Sequence, residues 1–332
     1  MSAGAPTTFK IVQLNAENLF LFLDADSDLD WRTLSEKDWQ KLSRATVANK
    51  PLIKTLWLAD SLLHINADII CMNEVGGEES LSNFAKLFLK GRYRPHLIEG
   101  NSDRGIDIGF LVRDDFAAKV ELRTHKHRPL KFSYPHEPGK THYFSRDCAE
   151  LRVHGRDPAR PDLIALLVHL KSKLDPEGID PGGRDRRQAE ARLLTDIYTE
   201  VRGEFTPPVP VIVCGDFNGS AGRKALGEEV AEFAKTDLES VLEIAGVDGE
   251  LAATQMQFSR GSGVQGMQID FIFVSPELHQ HLIHDQVGVY RYLSDLRVPL
   301  PLPKTLEQRT YLPSDHYPVV ATFRNFISSS EA

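Results

Sequence analysis

The chain has 332 residues, 41% of them apolar, and a formal net charge of −8. The length suits one large domain with a sizeable core, and the acidic balance excludes nucleic-acid binding through an overall basic surface. Three cysteines, Cys71, Cys148 and Cys214, are odd in number and widely spaced, which excludes a disulfide framework or a zinc-binding cysteine pattern and makes them small core residues.

The first element in chain order is "FKIVQLN" (9–15), a strand ending in Asn15. The apolar run "LFLFL" (19–23) is too short for a signal segment or a membrane span, and Glu17 and Asp24 flank it. With so few cysteines, the expectation is a cytoplasmic protein with no membrane span. Residues 24–44 read as a surface insertion. Their acidic start, "DADSDLD" (24–30), fails as a calcium loop because its sixth position is Leu29 and its twelfth is Ser35. A helix follows over 46–64, with Leu52, Leu56, Ala59 and Leu63 on one face. "ADIICMNE" (67–74) is a strand ending in Glu74, and 80–90 is a helix carrying Leu81, Phe84, Leu87 and Phe88. "IDIGFLVR" (106–113) is the next strand. Residues 119–146 hold seven Lys or Arg against two Glu, with His125, His127, His136 and His142, and form a loop that is either solvated or in contact with substrate. "CAELRVH" (148–154) and "LIALLVHLK" (163–171) are strands, the second carrying His169. A helix over 184–202 sets Ala191, Leu194, Ile197, Tyr198 and Val201 on one face. "VPVIVCGDFN" (209–218), "QIDFIFVS" (268–275) and "HYPVVATF" (316–323) complete the strands. Strands outnumber helices, which predicts a two-sheet core with helices outside.

The run "GDFNGS" after the 209–214 strand has two readings, a turn or a catalytic edge. The other strand ends decide between them. Asn15, Glu74, His169, Asp216 with Asn218, Asp270, and the pair Asp315-His316 form one chemical inventory. Carboxylate and amide oxygens suit hard cations such as Mg²⁺ or Mn²⁺. Such an ion polarises a phosphoryl oxygen and lowers the pKa of a bound water. Imidazoles transfer protons near neutral pH or, when charged, grip a phosphate. The chain has no H-E-x-x-H and no G-x-x-x-x-G-K-[ST], so it is neither that kind of zinc protease nor a P-loop nucleotidase.

The ordered motifs "QLNAENLF", "DIICMNEV", "FSRDCAEL", "LVHLKSK", "IVCGDFNGS", "QIDFIFVS" and "SDHYPVV" resemble those of the endonuclease/exonuclease/phosphatase superfamily, from about Phe9 to Phe323. The likeness is to the deoxyribonuclease-like branch, and within it to bacterial extracellular-nuclease-like members. The resemblance implies an α/β fold: a four-layer α/β/β/α sandwich of two mainly antiparallel sheets flanked by helices. It implies a single catalytic domain over 1–332, with its core at about 9–325. It implies Mg²⁺ or Mn²⁺ held by Glu74 with Asn15 and Asp315. Asp216 is then implied to orient or deprotonate the attacking water, and Asn218 to hold that water or a phosphoryl oxygen. His316 would contact the scissile phosphate, with Asp270 orienting its ring, and His169 would hold the phosphate from the other side. Arg146 matches a phosphate-contacting arginine, and Asp107 is aligned to orient His169.

The activity expected from the resemblance is metal-dependent hydrolysis of phosphodiesters, with DNA as substrate and little sequence specificity. Loop 119–146 with Lys171, Lys173, Arg184, Arg186 and Arg187 would supply local positive charge. No stable protein partner is expected. Two alternatives stand beside this reading: a phosphatase or phospholipase acting on a phosphoinositide, sphingolipid or other small phosphoester, and a catalytically inactive binding module. Gly219-Ser220 departs from the small apolar residue that abasic-site enzymes carry after the Asp-x-Asn.

Overall fold

The structure is a computed structural model. It describes residues 8–23, 29–155, 157–175, 178–222, 227–259 and 263–327, with backbone only for 228 and 229. Residues 24–28 of the acidic run lie outside the described residues.

In chain order the strands are β1 (Thr8–Leu19), β2 (Ile69–Val75), β3 (Tyr93–His96), β4 (Asp107–Arg113), β5 (Lys119–Thr124), β6 (Cys148–His154), β7 (Leu163–His169), β8 (Val211–Asp216), β9 (Glu239–Ser240), β10 (Gln255–Ser259), β11 (Gly263–Met267), β12 (Asp270–Val274), β13 (Gly288–Val289) and β14 (Val319–Arg324). They build two six-stranded sheets, ordered β13-β14-β1-β2-β4-β3 and β5-β6-β7-β8-β12-β9, and a separate β10–β11 hairpin. Each large sheet has one parallel pair, β1–β2 in the first and β7–β8 in the second, and its other pairs are antiparallel.

Side-chain alternation builds the layers. On β1, Phe9 and Ile11 face the second sheet, where Leu151, Leu163, Leu167, Ile212 and Ile272 meet them. Val12 and Leu14 face outward and pack under the helix Leu52–Ile65 through Leu58 and Leu62. In the second sheet, Leu166, Val211 and Val213 point outward to Ala191, Leu194 and Ile197 of the helix Arg184–Gly203. The fold is therefore the expected α/β/β/α sandwich. Cys71 and Cys214 belong to its inner core and Cys148 to an outer one, all as free thiols.

Two helices differ from their predicted extents. The 46–64 pattern becomes helical only at Leu52, because Pro51 is extended (ψ 134°) and lacks an N–H. The 80–90 pattern splits into a helix at Gly77–Asn83 and a widened π turn at Phe84–Phe88, which keeps Phe84 and Phe88 buried. No helix among the described residues is long and apolar enough to cross a membrane.

Candidate active site

The same alternation that fills the core places the polar residues. Ile212 and Cys214 of β8 point between the sheets, so Asp216 does too. Strand register then aligns the site: His169 pairs with Asp216, and Asp216 pairs with Asp270. Across the gap, Asn15 of β1 pairs with Asn73 of β2. The core ends where these polar side chains begin, at one edge of the sandwich.

The backbone at this edge is tightly specified. At Gly215 (φ +142°), an added Cβ would lie 1.9 Å from the Val168 carbonyl oxygen, so only glycine lets β8 run this close to β7. Glu17, Asn18, Glu74 and Asn218 all have positive φ, and only three other non-glycine residues among those described do. This strain is concentrated at the site rather than spread through the loops. It has a visible use. Asn18 N–H donates to Glu74 Oε2 (3.1 Å), and Asn218 N–H donates to Asp216 Oδ1 (2.8 Å). Beneath the Glu17–Asn18 bulge, buried Lys50 donates to the Glu17 carbonyl oxygen (3.0 Å). Burial pulls the Lys50 pKa down to about 8.

Hydrogen bonds tie the carboxylates to their partners. His316 Nδ1 lies 2.7 Å from Asp270 Oδ2, and its Nε2 lies 4.0 Å from Asp216 Oδ2. Asn15 Nδ2 donates to Asp216 Oδ2 (3.0 Å), while its Oδ1 accepts from Glu17 N–H. Ser314 Oγ donates to the Asn15 carbonyl oxygen (2.7 Å) and accepts from His316 N–H, fixing the 314–316 loop to β1. His169 Nε2 stands 3.6 Å from Asp216 Oδ2 and 3.9 Å from Glu74 Oε1.

These surroundings separate the protonation states. Burial, then the Asp270 charge, pushes the Asp216 carboxyl up to about 7, against the opposing pull of His316, Asn15 and the Asn218 N–H. Burial disfavours charge on His316, but Asp270, Asp315 and Asp216 together outweigh it and hold the ring well above its ordinary value. Burial, with Arg146 and His316 nearby, drives His169 far below its own, so that ring is neutral. One imidazole charged, one neutral and one carboxyl poised near neutrality form an arrangement suited to moving a proton at an anionic centre.

The groups open into a cleft of about 420 Å³. Seven of the predicted residues line it: Glu74, Arg146, His169, Asp216, Asn218, Asp315 and His316. Asn15 and Asp270 sit just behind, bonded to Asp216 and His316. Asn218 spends its Nδ2 on the Leu170 carbonyl oxygen (3.0 Å). Arg146 is 5% exposed and its Nε has no partner. Glu74 and Asp315 present oxygen donors from the rim and could hold a hard cation. Asp216, Asp270 and His316 also each offer a ligand atom within 4.8 Å of the others.

Asp107 does not reach His169. Its Oδ1 accepts from Gly100 N–H (2.7 Å), and His169 Nδ1 has no partner. Ile108 and Phe110 of the same strand point into the core between the sheets, so alternation turns Asp107 to the opposite face. The first six residues of the predicted basic loop form β5 instead, and the segment's charges are largely paired: Arg123 with Glu121, Arg128 with Glu200, Lys131 with Asp196 and Lys140 with Glu137. Lys171 and Arg187 donate to backbone carbonyls, and Lys173 lines the cleft. Cleft residues not singled out from the sequence include Arg104, Gln255 and Gln257. Arg104 donates to Asn18 Oδ1 (3.2 Å), and the Gln255 amide nitrogen lies 2.8 Å from His316 Nε2, so this amide must turn its oxygen to the ring when Nε2 carries a proton. The short "QMQ" alternation that turns both glutamines to one face was their only signal.

Comparison with known proteins settles the kinship. The endonuclease/exonuclease/phosphatase family model matches residues 54–316. The chain belongs to this family. Membership indicates a phosphoester hydrolase. Solved structures of similar fold include D. rerio TDP2 complexed with a single-strand DNA product (15% identity, 96% of this chain and 100% of that one, TM-score 0.56). The human Nocturnin catalytic domain with a bound sulfate anion is also similar (18% identity, 96% and 94%, TM-score 0.56). So is a family protein from Bacteroides thetaiotaomicron (19% identity, 98% and 98%, TM-score 0.52). No curated protein sequence matches this chain.

Proposed function

We propose that the chain is a divalent-metal-dependent nuclease, a single catalytic domain that cleaves DNA phosphodiesters by water attack with little sequence specificity, in the cytoplasm. The observation that carries this reading is the convergence of Asp216, the Asp270–His316 pair, His169 and Arg146 on one cleft. The single-strand DNA product bound to the similar D. rerio structure supports nucleic acid as the substrate class.

In this reading the phosphate sits between Arg146 and the two imidazoles. Arg146, buried and with an open Nε, offsets its charge. Asp216, near its titration point at neutral pH, takes the proton of the attacking water. Asn218 Oδ1 orients that water, because its Nδ2 is already committed. His316, kept protonated by Asp270, stabilises the charge that builds on the phosphoryl oxygens. The donor set fits a hard cation: Glu74, with one oxygen fixed by Asn18 N–H, and Asp315, both at the cleft, with the Asn15 amide behind them. Mg²⁺ or Mn²⁺ bound there polarises a phosphoryl oxygen and acidifies water.

Supercoiled plasmid incubated with Mg²⁺ is expected to be nicked, with activity lost on chelation and in Asp216→Ala and His316→Ala. Variants matching wild type would remove this site. The modest size of the cleft favours a second reading, hydrolysis of a small phosphoester. Turnover of phosphoinositide or sphingomyelin with intact plasmid would establish that reading instead.

A further inference from the structure

Gln13 occupies an inward position of β1 where Phe9 and Ile11 before it are apolar core, yet it is fully buried. A buried amide destabilises a core unless its polar atoms find partners, so its retention calls for an explanation. The Gln13 Nε2 donates twice: to Asn73 Oδ1 (2.9 Å) and to Asp270 Oδ1 (3.1 Å). Asn73, also fully buried, donates from Nδ2 to the Val168 carbonyl oxygen (2.8 Å). Gln13 Oε1 has no partner, so the amide is oriented by what its N–H groups reach.

Each end of this chain adjoins a site residue. Asn73 precedes Glu74, and Val168 precedes His169. Asp270 uses Oδ2 for His316, so Gln13 supplies the donor for its other oxygen. Two side chains from the first sheet thus bridge to two strands of the second, at the point where the core gives way to the cleft.

We propose that Gln13 is a positioning residue: with Asn73 it holds the Asp270 carboxylate turned toward His316 and locks the Glu74 and His169 strand ends into one frame. The catalytic consequence rests on the functional reading above; the geometric one does not. Packing alone is satisfied equally by leucine, which fills similar volume but leaves Asp270 Oδ1 and Asn73 Oδ1 without donors.

Two readouts test it. In plasmid nicking, Gln13→Leu is expected to lower kcat on the order of 10- to 100-fold with KM little changed, as for a displaced but intact site. In an Asp270→Ala background the same substitution is expected to cost less in kcat than it does in the wild type, because Asp270 is gone and only the link through Asn73 remains to be lost. A wild-type kcat in Gln13→Leu, or an undiminished loss in the Asp270→Ala background, overturns the proposal. The second readout needs no activity: the downfield imidazole N–H proton resonance of the Asp270–His316 bond, assigned by its loss in His316→Ala. It is expected to shift or broaden in Gln13→Leu. An unmoved resonance overturns the proposal whatever the enzyme does. A moved resonance in a wild type that cleaves no phosphoester leaves the positioning role standing and removes the functional reading. If Gln13→Leu does not fold, isosteric Gln13→Glu, which offers at most one donor in place of two, carries both measurements with the same expected and refuting outcomes.

Discussion

Replacing Asp216 with asparagine should make the folded protein more stable at pH 8, and the gain should shrink in mild acid. Asp216 is 1% exposed, sits opposite Asp270 in register, and has its carboxyl pushed up to about 7 from an ordinary 3.8. Below pH 4 the folded and unfolded chains are protonated alike at this group, and it contributes nothing. Between pH 4 and 7 the folded state keeps a proton that the unfolded state releases, so stability falls as pH rises. Above pH 7 the penalty is complete. Roughly three units at 1.36 kcal/mol per unit give about 4 kcal/mol. Asparagine keeps the shape without the charge, but its single oxygen cannot accept from both Asn15 Nδ2 and Asn218 N–H, which returns about 1 kcal/mol of the gain. The expected result is a stabilisation of about 2–3 kcal/mol at pH 8 that shrinks through pH 6 to about 0.5 kcal/mol at pH 5. Urea unfolding in EDTA at pH 8, 7, 6 and 5 measures it. A variant no more stable than wild type at pH 8, or a gap constant across pH, refutes the assignment of Asp216 as a carboxylate held at the expense of stability.

Three further outcomes follow from the same geometry. Gly215→Ala should lower stability by about 3–5 kcal/mol, since its methyl group meets the Val168 backbone at 1.9 Å and neither strand can yield without breaking register; a thermal melt should fall by about 4–7 °C. Asp107→Asn should leave plasmid nicking within about threefold of wild type, because Asp107 serves Gly100 N–H rather than His169; a loss of on the order of 100-fold in kcat, the scale of a displaced catalytic group, contradicts that placement. The salt dependence of DNA binding should flatten by about one unit of log–log slope in Arg104→Ala and in Lys173→Ala, and stay unchanged in Lys131→Ala, whose charge is paired with Asp196. Filter binding across a salt series distinguishes the three.

The strand ends were legible because alternation and polarity at an apolar terminus are local properties. Asn15, Glu74, His169, Asp216, Asn218, Asp270, Asp315 and His316 could all be read from motifs, and the structure brings them to one edge. Gln13 and Asn73 were not read, although Gln13 breaks the inward apolar series Phe9, Ile11. A buried amide declares itself only when its partner on another strand is known, and Asp270 lies 257 residues away. The charge of the basic segment could not be read for the mirror reason. Its charges are visible in sequence, but the acids that neutralise Arg128 and Lys131, Glu200 and Asp196, lie on a helix far along the chain.

The sequence by itself determined the layers and the chemistry, since period-two patterning sends each strand's apolar side chains to a core and leaves carboxylates, amides and imidazoles at the strand ends. Tertiary structure alone decided register, and with it function-bearing distance. Whether His169 faces Asp216, whether Asp107 reaches it, and which amide steadies Asp270 all depend on which residue of one strand stands opposite which of another. That is set by the approach of β7 to β8 over a glycine and by hydrogen bonds across the gap between the sheets, neither of which is written in any single segment.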